Sequence, residues 1–128
     1  MHCGMGLRVM NCVDNFDSKV DEVLMNLGIP AHLDGYTYIK TGLKIMHLPE
    51  YRGNLKINMG DIFNKVANMY KTSNNNVDRC IRYVVKNYCS GSNNKTLYNI
   101  FGVIPTLGNI KNKMFMVGVY RYVVYLLK

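Results

Sequence analysis

Two runs of apolar residues at helical spacing, separated by a short polar break, constrain the fold of this chain most strongly. The first run extends from about Met59 to Tyr70 and the second from about Val77 to Tyr88. Apolar residues that recur every three or four positions lie on one face of a helix. The break, Lys71-Thr72-Ser73-Asn74, supplies hydroxyl and amide side chains that cap a new helix. The pattern predicts two helices joined by a tight turn, with core positions at Ile62, Phe63, Val66, Met69, Val77, Ile81, Val84, Val85 and Tyr88.

Helical periodicity also precedes this pair of helices. A first helix is predicted to begin with Ser18 as its N-cap and to end at Gly28. A second helix is predicted to begin with Asp34 as its cap and to stop at Pro49, because proline cannot continue a helix.

The C-terminal part of the chain contains one short helical pattern and one apolar segment. Residues 90–94 are predicted to end the second helix of the pair, residues 96–101 to form a short helix, and residues 102–108 to form a loop. Residues 114–127 are apolar but interrupted by Arg121, and they are too few to cross a bilayer. Their valine and tyrosine content suits a strand as well as a helix, so periodicity by itself leaves that choice open.

Composition predicts one folded domain with a basic half. The chain has 128 residues, of which 48% are hydrophobic and 19% charged. Residues 1–16 lack a clean period, so an irregular N-terminal arm is predicted there and a single domain over residues 17–128. The net charge is +8, with four Lys or Arg against six Asp or Glu before residue 51, and twelve against two from there on. A half this basic indicates a polyanionic partner, although a solvated basic face has the same composition.

Cysteine and histidine spacing shows no sign of a metal site. The four cysteines and three histidines form no C-x-x-C or H-x-x-x-H pattern, so we expect reduced thiols and no bound metal. No nucleophile with a base, carboxylate pair or phosphate-binding loop can be assembled, so neither catalysis nor a cofactor is expected. The start of the chain does not resemble a secretory signal, and a cytoplasmic protein is expected.

The second helix of the pair carries a polar stripe opposite its apolar face. At about 100° per residue, the stripe contains Asn75, Asp78, Arg79, Arg82 and Lys86. Arginine can donate two hydrogen bonds to guanine, asparagine can form two hydrogen bonds with adenine, and aspartate can accept one from cytosine. The stripe is therefore a candidate surface for reading base edges, as in a helix-turn-helix. An ordinary amphipathic helix, with Asp78 and Arg82 as an i, i+4 ion pair, fits the same residues.

Basic and hydroxyl side chains flank this stripe on both sides. Residues of these types contact phosphates in DNA complexes, although a solvated lysine looks identical in sequence. The predicted phosphate contacts are Lys71, Thr72, Ser73, Lys86, Lys111 and Lys113.

Three stretches of the sequence resemble a known family. They are Leu27-Gly-Ile-Pro-Ala-His-Leu-Asp-Gly-Tyr-Thr-Tyr, Val77-Asp-Arg-Cys-Ile-Arg-Tyr and Leu97-Tyr-Asn-Ile-Phe-Gly. In this order they are similar to the C-terminal DNA-binding effector domain of the sporulation initiation response regulator, the stage 0 sporulation protein A family. The resemblance extends over about residues 23–127. It implies an all-α domain of about six helices around a helix-turn-helix, so the apolar last segment is expected to be helical.

The resemblance also implies a regulator that reads a short box similar to TGTCGAA. The family's recognition stretch, Val-Glu-Arg-Ala-Ile-Arg-His, places its two arginines at Arg79 and Arg82. Asp78 replaces the glutamate, Tyr83 replaces the histidine, and Asn76 stands where arginine is usual, so a changed box is expected. The predicted base-reading residues are Asn75, Asn76, Asp78, Arg79, Arg82 and Tyr83.

A second departure from the family lies just before the last helix. The family's Lys-Pro-Thr-Asn-Ser-Glu-Phe corresponds to residues 109–115, where only Asn112 and Phe115 match. A DNA or subunit contact that relatives make there is expected to be altered, with Lys111 and Lys113 still supplying positive charge.

Double-stranded DNA in the nucleoid is the expected partner, bound by a monomer or a weak homodimer on tandem boxes, with the RNA polymerase sigma subunit as a further candidate. The family's phosphoacceptor receiver domain is not part of this sequence. If the chain is complete, direct control by phosphorylation is not expected, whereas for a fragment nothing follows. A different class of protein stays open, an antagonist that binds a related regulator or RNA polymerase. The changes at Asn76 and Tyr83 favour that alternative, and dependence of specific DNA affinity on Arg79 and Arg82 would discriminate the two.

Overall fold

Six α-helices make up the described part of the computed structural model, which contains no strand. The structure describes residues 4–52, 57–89, 95–102 and 110–128, with side chains from residue 15 onward. In chain order the helices are α1 (Gly4–Asn26), α2 (Asp34–Met46), α3 (Met59–Met69), α4 (Asn74–Tyr88), α5 (Lys95–Phe101) and α6 (Asn112–Leu126). The prediction of an all-α fold with about six helices is confirmed.

The first helix begins much earlier than the sequence predicts. It starts at Gly4, so the expected N-cap at Ser18 and the expected irregular arm over residues 4–16 are both wrong. Phe16, which is only 4% exposed, continues the apolar face of α1 one turn before the buried Val20, so the buried face already extends to the N-terminal side of Ser18. Gly28 follows the end of the helix as predicted, and its φ of 90° lies in the left-handed region that glycine adopts without strain.

Side-chain caps start α3 and α4 but not α2. The Oδ1 atom of Asn58 accepts from the backbone N–H of Gly60 at 2.9 Å, a cap that the sequence analysis missed. The Oγ atom of Ser73 accepts a backbone N–H of α4 at 3.0 Å, which confirms a predicted cap. Asp34 is not a cap, because it is the first helical residue and Leu33 occupies the N-cap position without a side-chain bond.

Helix α2 lies at the centre of the packing, in contact with α1, α3, α4 and α6. The apolar last segment, whose type periodicity left open, forms the helix α6 that the resemblance implied. The largest fully buried side chains come from all six helices and are Val20, Val23, Leu24, Leu27, Ile39, Leu43, Met46, Ile62, Ile81, Leu97, Phe115 and Met116. One hydrophobic core therefore joins the helices, and burial of these side chains is the main force that holds them together.

The predicted core positions of the helix pair are confirmed, apart from those at the helix ends. Seven of the nine predicted positions are at most 4% exposed in α3 and α4, whereas Met69 is 62% exposed and its predicted burial is wrong. Met69 is the last residue of α3, where the helix leaves the core. Tyr88, at the end of α4, is half-buried.

Polar contacts fasten α1 to α2. The carboxylate of Asp21 accepts from the Tyr36 hydroxyl at 2.6 Å and from the Lys40 ammonium at 2.9 Å. Asp17 and Lys44 form a second ion pair at 3.4 Å. Burial by itself raises the pKa of Asp21, but the bonds from Tyr36 and Lys40 outweigh it and lower the pKa overall. These contacts hold the acidic face of α1 against the basic face of α2.

His47, the C-cap of α2, connects α1, α2 and α6. Its ring stacks on Phe16, with centroids 4.0 Å apart and an interplanar angle of 2°. Its Nδ1 atom is 3.0 Å from the hydroxyl oxygen of Tyr120 in α6. Burial, and then the charge of Arg52, lower the pKa of His47. The neutral imidazole is therefore the form that this packing favours.

The short helix predicted at residues 96–101 is confirmed as α5. The predicted closing segment at residues 90–94 lies outside the described residues, and so does most of the predicted loop at 102–108, of which only Gly102 is described, with φ of 78°. None of the helices in the described ranges is long and apolar enough to span a membrane.

Candidate nucleic-acid interface

The turn between α3 and α4 is short and is tied to the core. Lys71 adopts a φ of 56°, in the left-handed region that reverses the chain direction within few residues. The next residue, Thr72, donates its backbone N–H to the carbonyl oxygen of Ala67 at 2.9 Å. Before the turn, the hydroxyl of Tyr70 hydrogen-bonds that of Thr41 in α2 at 2.7 Å. One hydrogen bond therefore ties the turn to α3, and another ties the residue before it to α2.

Asn74 fixes the start of α4 against α3. Its Nδ2 atom donates to the carbonyl oxygen of Gly60 at 3.0 Å and to the Oδ1 atom of Asn64 at 2.8 Å. Of the candidate caps in the polar break, Ser73 is the cap of α4, and Asn74 instead bridges the two helices. These bonds restrict the angle between α3 and α4.

The apolar and the polar residues of α4 lie on opposite faces of the helix, as the sequence predicts. The inward residues Val77, Ile81, Val84 and Val85 are at most 3% exposed. The exposed residues on the other side include Asn75, Arg79, Arg82, Tyr83 and Lys86. A row of polar and cationic groups therefore faces solvent along one side of a helix that the core holds firmly on the other.

Arg79 is held by a short chain of side chains that begins in the turn. The Nδ2 atom of Asn76 donates to the Thr72 hydroxyl at 2.9 Å. The Oδ1 atom of Asn76 then accepts from the guanidinium of Arg79 at 2.7 Å. Asn76 and Thr72, which the sequence analysis assigned to a base and a phosphate contact, are both half-buried and bonded to each other.

Arg82 is held by a second chain of side chains, which begins in α6. Asp78 forms an ion pair with Arg82 one turn along α4. The other carboxylate oxygen of Asp78 accepts from the Nδ2 atom of Asn112 at 2.8 Å. The i, i+4 ion pair that the sequence analysis considered is therefore present, with Arg82 66% exposed at its side chain and Asp78 30% exposed.

Lys111 and Lys113 lie beside α4, although they are distant in sequence. They line an open cleft of about 530 Å³ between α3, α4 and the start of α6, together with Asp78 and Arg82. Both lysines are exposed. The tertiary structure therefore brings two predicted phosphate contacts next to two predicted base readers, Asp78 and Arg82.

Cys80 contacts Asn76 through its thiol, at 3.8 Å from the Oδ1 atom, and carries no sign of reactivity. Burial, followed by the charge of Asp34, raises the pKa of its thiol, although Arg79 acts in the opposite direction. Cys80 and Cys89 are free cysteines. In the part of the chain that the structure describes, no three His, Cys, Asp or Glu side chains come together as metal ligands would.

Two helices joined by a restrained turn, with a polar outer face on the second, define a helix-turn-helix protein of the DNA-binding class. The family model for the sporulation initiation factor Spo0A C-terminal domain matches residues 20–123. The match includes the whole helix-turn-helix and reaches from α1 into α6. The chain belongs to this family and is a DNA-binding effector domain of the kind that regulates transcription in sporulation.

Proposed function

We propose that this protein is a sequence-specific transcriptional regulator that reads a TGTCGAA-like box with the outer face of α4. The observation that carries the proposal is the exposure and the fixed orientation of the Arg79 and Arg82 side chains. Both are exposed on the outward face, and each guanidinium is oriented by an acceptor on the preceding turn. An arginine that is already oriented in the free protein loses less side-chain entropy when it donates two hydrogen bonds to guanine O6 and N7.

The six predicted base readers divide into two groups. Asn75, Arg79, Arg82 and Tyr83 are exposed, and we assign direct base contacts to them. Asn76 and Asp78 are half-buried, and their polar atoms already bind other side chains. We assign to this second group the orientation of the arginines.

The phosphate contacts are proposed on both sides of α4. Lys71 and Ser73 lie in the turn before the helix, Lys86 near its end, and Lys111 and Lys113 across the cleft. The hydroxyl oxygen of Thr72 accepts from Asn76, and its own O–H is the donor that we propose contacts a phosphate. Contacts of this kind set the register of the protein on DNA and make affinity depend on salt.

We propose two further partners, a second copy of the chain and the RNA polymerase sigma subunit. On tandem boxes, two copies would bind side by side as a weak homodimer, and the RNA polymerase sigma subunit is the candidate protein partner. Analytical ultracentrifugation with one-box and two-box duplexes measures the stoichiometry of the first complex.

Fluorescence anisotropy with a tandem TGTCGAA duplex and a scrambled duplex, at roughly 150 mM salt, tests the proposed function. The wild-type chain is expected to prefer the box by about tenfold or more. Arg79→Ala/Arg82→Ala should remove the preference. Arg121→Ala is the matched control, because it deletes an exposed arginine on α6 and leaves α4 intact.

Equal and weak binding of both duplexes by the wild-type chain would refute recognition of this box. Selection of binding sites from random duplexes would then show whether another box is read. Failure of that selection would leave the antagonist of a related regulator or RNA polymerase as the better hypothesis.

A further inference from the structure

Asn112, at the first turn of α6, reaches across to α4 and binds Asp78. Its Nδ2 atom donates to the Asp78 carboxylate at 2.8 Å and to the Asp78 backbone carbonyl oxygen at 3.0 Å. Two oxygen acceptors on one side determine which way the amide points, because only the nitrogen can donate to them. Among the described residues, the Oδ1 atom of Asn112 is buried and has no hydrogen-bond partner. The side chain is therefore committed to Asp78.

The carboxylate of Asp78 binds both Asn112 and Arg82, so a restraint on Asp78 also restrains Arg82. One of its oxygens accepts from Asn112, and the other pairs with the Nη2 atom of Arg82. A guanidinium has five N–H donors in a rigid plane, so pairing at one nitrogen leaves donors free on the exposed side. Arg82 can therefore stay paired with Asp78 and still present a fork to a base.

The anchor from α6 matters because an exposed ion pair within one helix is weak. Such a pair contributes little and leaves both side chains mobile. A carboxylate whose second oxygen is held by a separate helix has lost that freedom before DNA binds. The restraint acts on Arg82 alone, since Arg79 is held by Asn76 and Thr72 in the turn.

We infer that Asn112 is a positioning residue for base reading, which acts on Arg82 through Asp78 and so gives α6 a part in sequence specificity. The inference rests on the proposed function, because it assumes that Arg82 reads a base. It differs from a phosphate contact, since a positioning residue changes the preference between two sequences, whereas a phosphate contact changes the affinity for both.

A double-mutant cycle tests the inference in the full chain. Asn112→Ala is expected to lower the preference for the box by about threefold to tenfold, the range of one hydrogen bond. In an Arg82→Ala background, the same change should have no effect on the preference. Lys113→Ala, one position along, is the matched control, and it should weaken binding to box and scrambled duplexes equally.

A second variant separates this role from a role in folding. Asn112→Asp has nearly the same shape and suits the first turn of a helix, but it cannot donate to Asp78. Its melting temperature, measured by circular dichroism, reports whether the fold persists. The loss of preference should match or exceed that of Asn112→Ala. An equal loss in the wild-type and Arg82→Ala backgrounds, for either variant, would overturn the inference.

A measurement on the free protein distinguishes failure of this inference from failure of the proposed function. Relaxation of the ¹⁵N nucleus in the Nε–Hε group of Arg82 reports the order of its side chain without DNA. Either substitution at Asn112 should lower that order and leave the Nε–Hε group of Arg79 unchanged. Unchanged order at Arg82 would overturn the inference even if the box is read. A fall at Arg82 alone would support it even if the preferred box proves to be a different sequence.

Discussion

Gly35 in α2 lies directly against the backbone of Cys80 in α4. A Cβ atom at Gly35 would be 2.7 Å from the Cys80 carbonyl oxygen, and it would also clash with a methyl group of Val84. Real Cβ atoms do not approach backbone so closely. The absence of a side chain at Gly35 therefore sets the distance between the central helix and the proposed recognition helix.

Gly35→Ala should lower the free energy of unfolding by about 1–3 kcal/mol, because a backbone carbonyl cannot move aside as a side chain can. Urea denaturation measures the change. Gly42→Ala, also in α2, is the comparison, since the one close contact of its new Cβ would be the flexible end of Met116, with Ile62 and Val66 at ordinary van der Waals distances. That variant should lose less, helped by the greater helix propensity of alanine. Equal losses at both sites would contradict a special role for the contact with α4.

Ser73 has two proposed roles that two substitutions can separate. Ser73→Ala removes the cap of α4 and should cost about 1 kcal/mol of stability. Ser73→Asp keeps a capping oxygen and favours the helix N-terminus, so its stability should stay near wild type. The added negative charge should nevertheless weaken binding to both duplexes. Wild-type DNA affinity for Ser73→Asp would show that Ser73 lies away from the phosphates.

Lys71 carries a left-handed backbone and a proposed phosphate contact. Lys71→Gly and Lys71→Ala both remove the charge, so both should lower affinity for box and scrambled duplexes alike. Only glycine adopts a φ of 56° without strain. Lys71→Gly should therefore be more stable than Lys71→Ala by about 0.5–1 kcal/mol in thermal unfolding. The opposite order of stability would mean that the turn changes conformation in these variants.

His47 predicts a dependence of stability on pH. Its pKa in the folded chain lies below the ordinary histidine value of 6.5, so the unfolded state takes up its proton first as the pH falls. The contribution of His47 is complete above the unfolded pKa and is lost as the pH falls from about 6.5 towards the folded pKa. His47→Gln should flatten urea stability curves over this range. His32→Gln, at an exposed histidine, leaves His47 in place and should keep the wild-type slope.

The chemistry of the proposed site was largely predictable because it is local to one helix. The spacing of residues 75–86 placed Arg79 and Arg82 opposite the apolar face, and both are exposed in the structure. The partners of the two arginines were not predictable in the same way. The i, i+4 spacing indicates Asp78 as a partner of Arg82, but Asn112 is 34 positions from Asp78, and nothing in the sequence between them indicates contact.

Periodicity and turn chemistry determined the helix pair, its apolar face and the cap at Ser73, since these depend on residues within a few positions of one another. The tertiary structure decided the features that need two helices. Phe16 is buried because His47, directly after α2, gives its ring a surface to pack on, and Asn74 becomes a bridge because α3 crosses close to it. Asn112 meets Asp78 only because α6 docks beside α4, a placement set by burial of the common core and not by any local pattern.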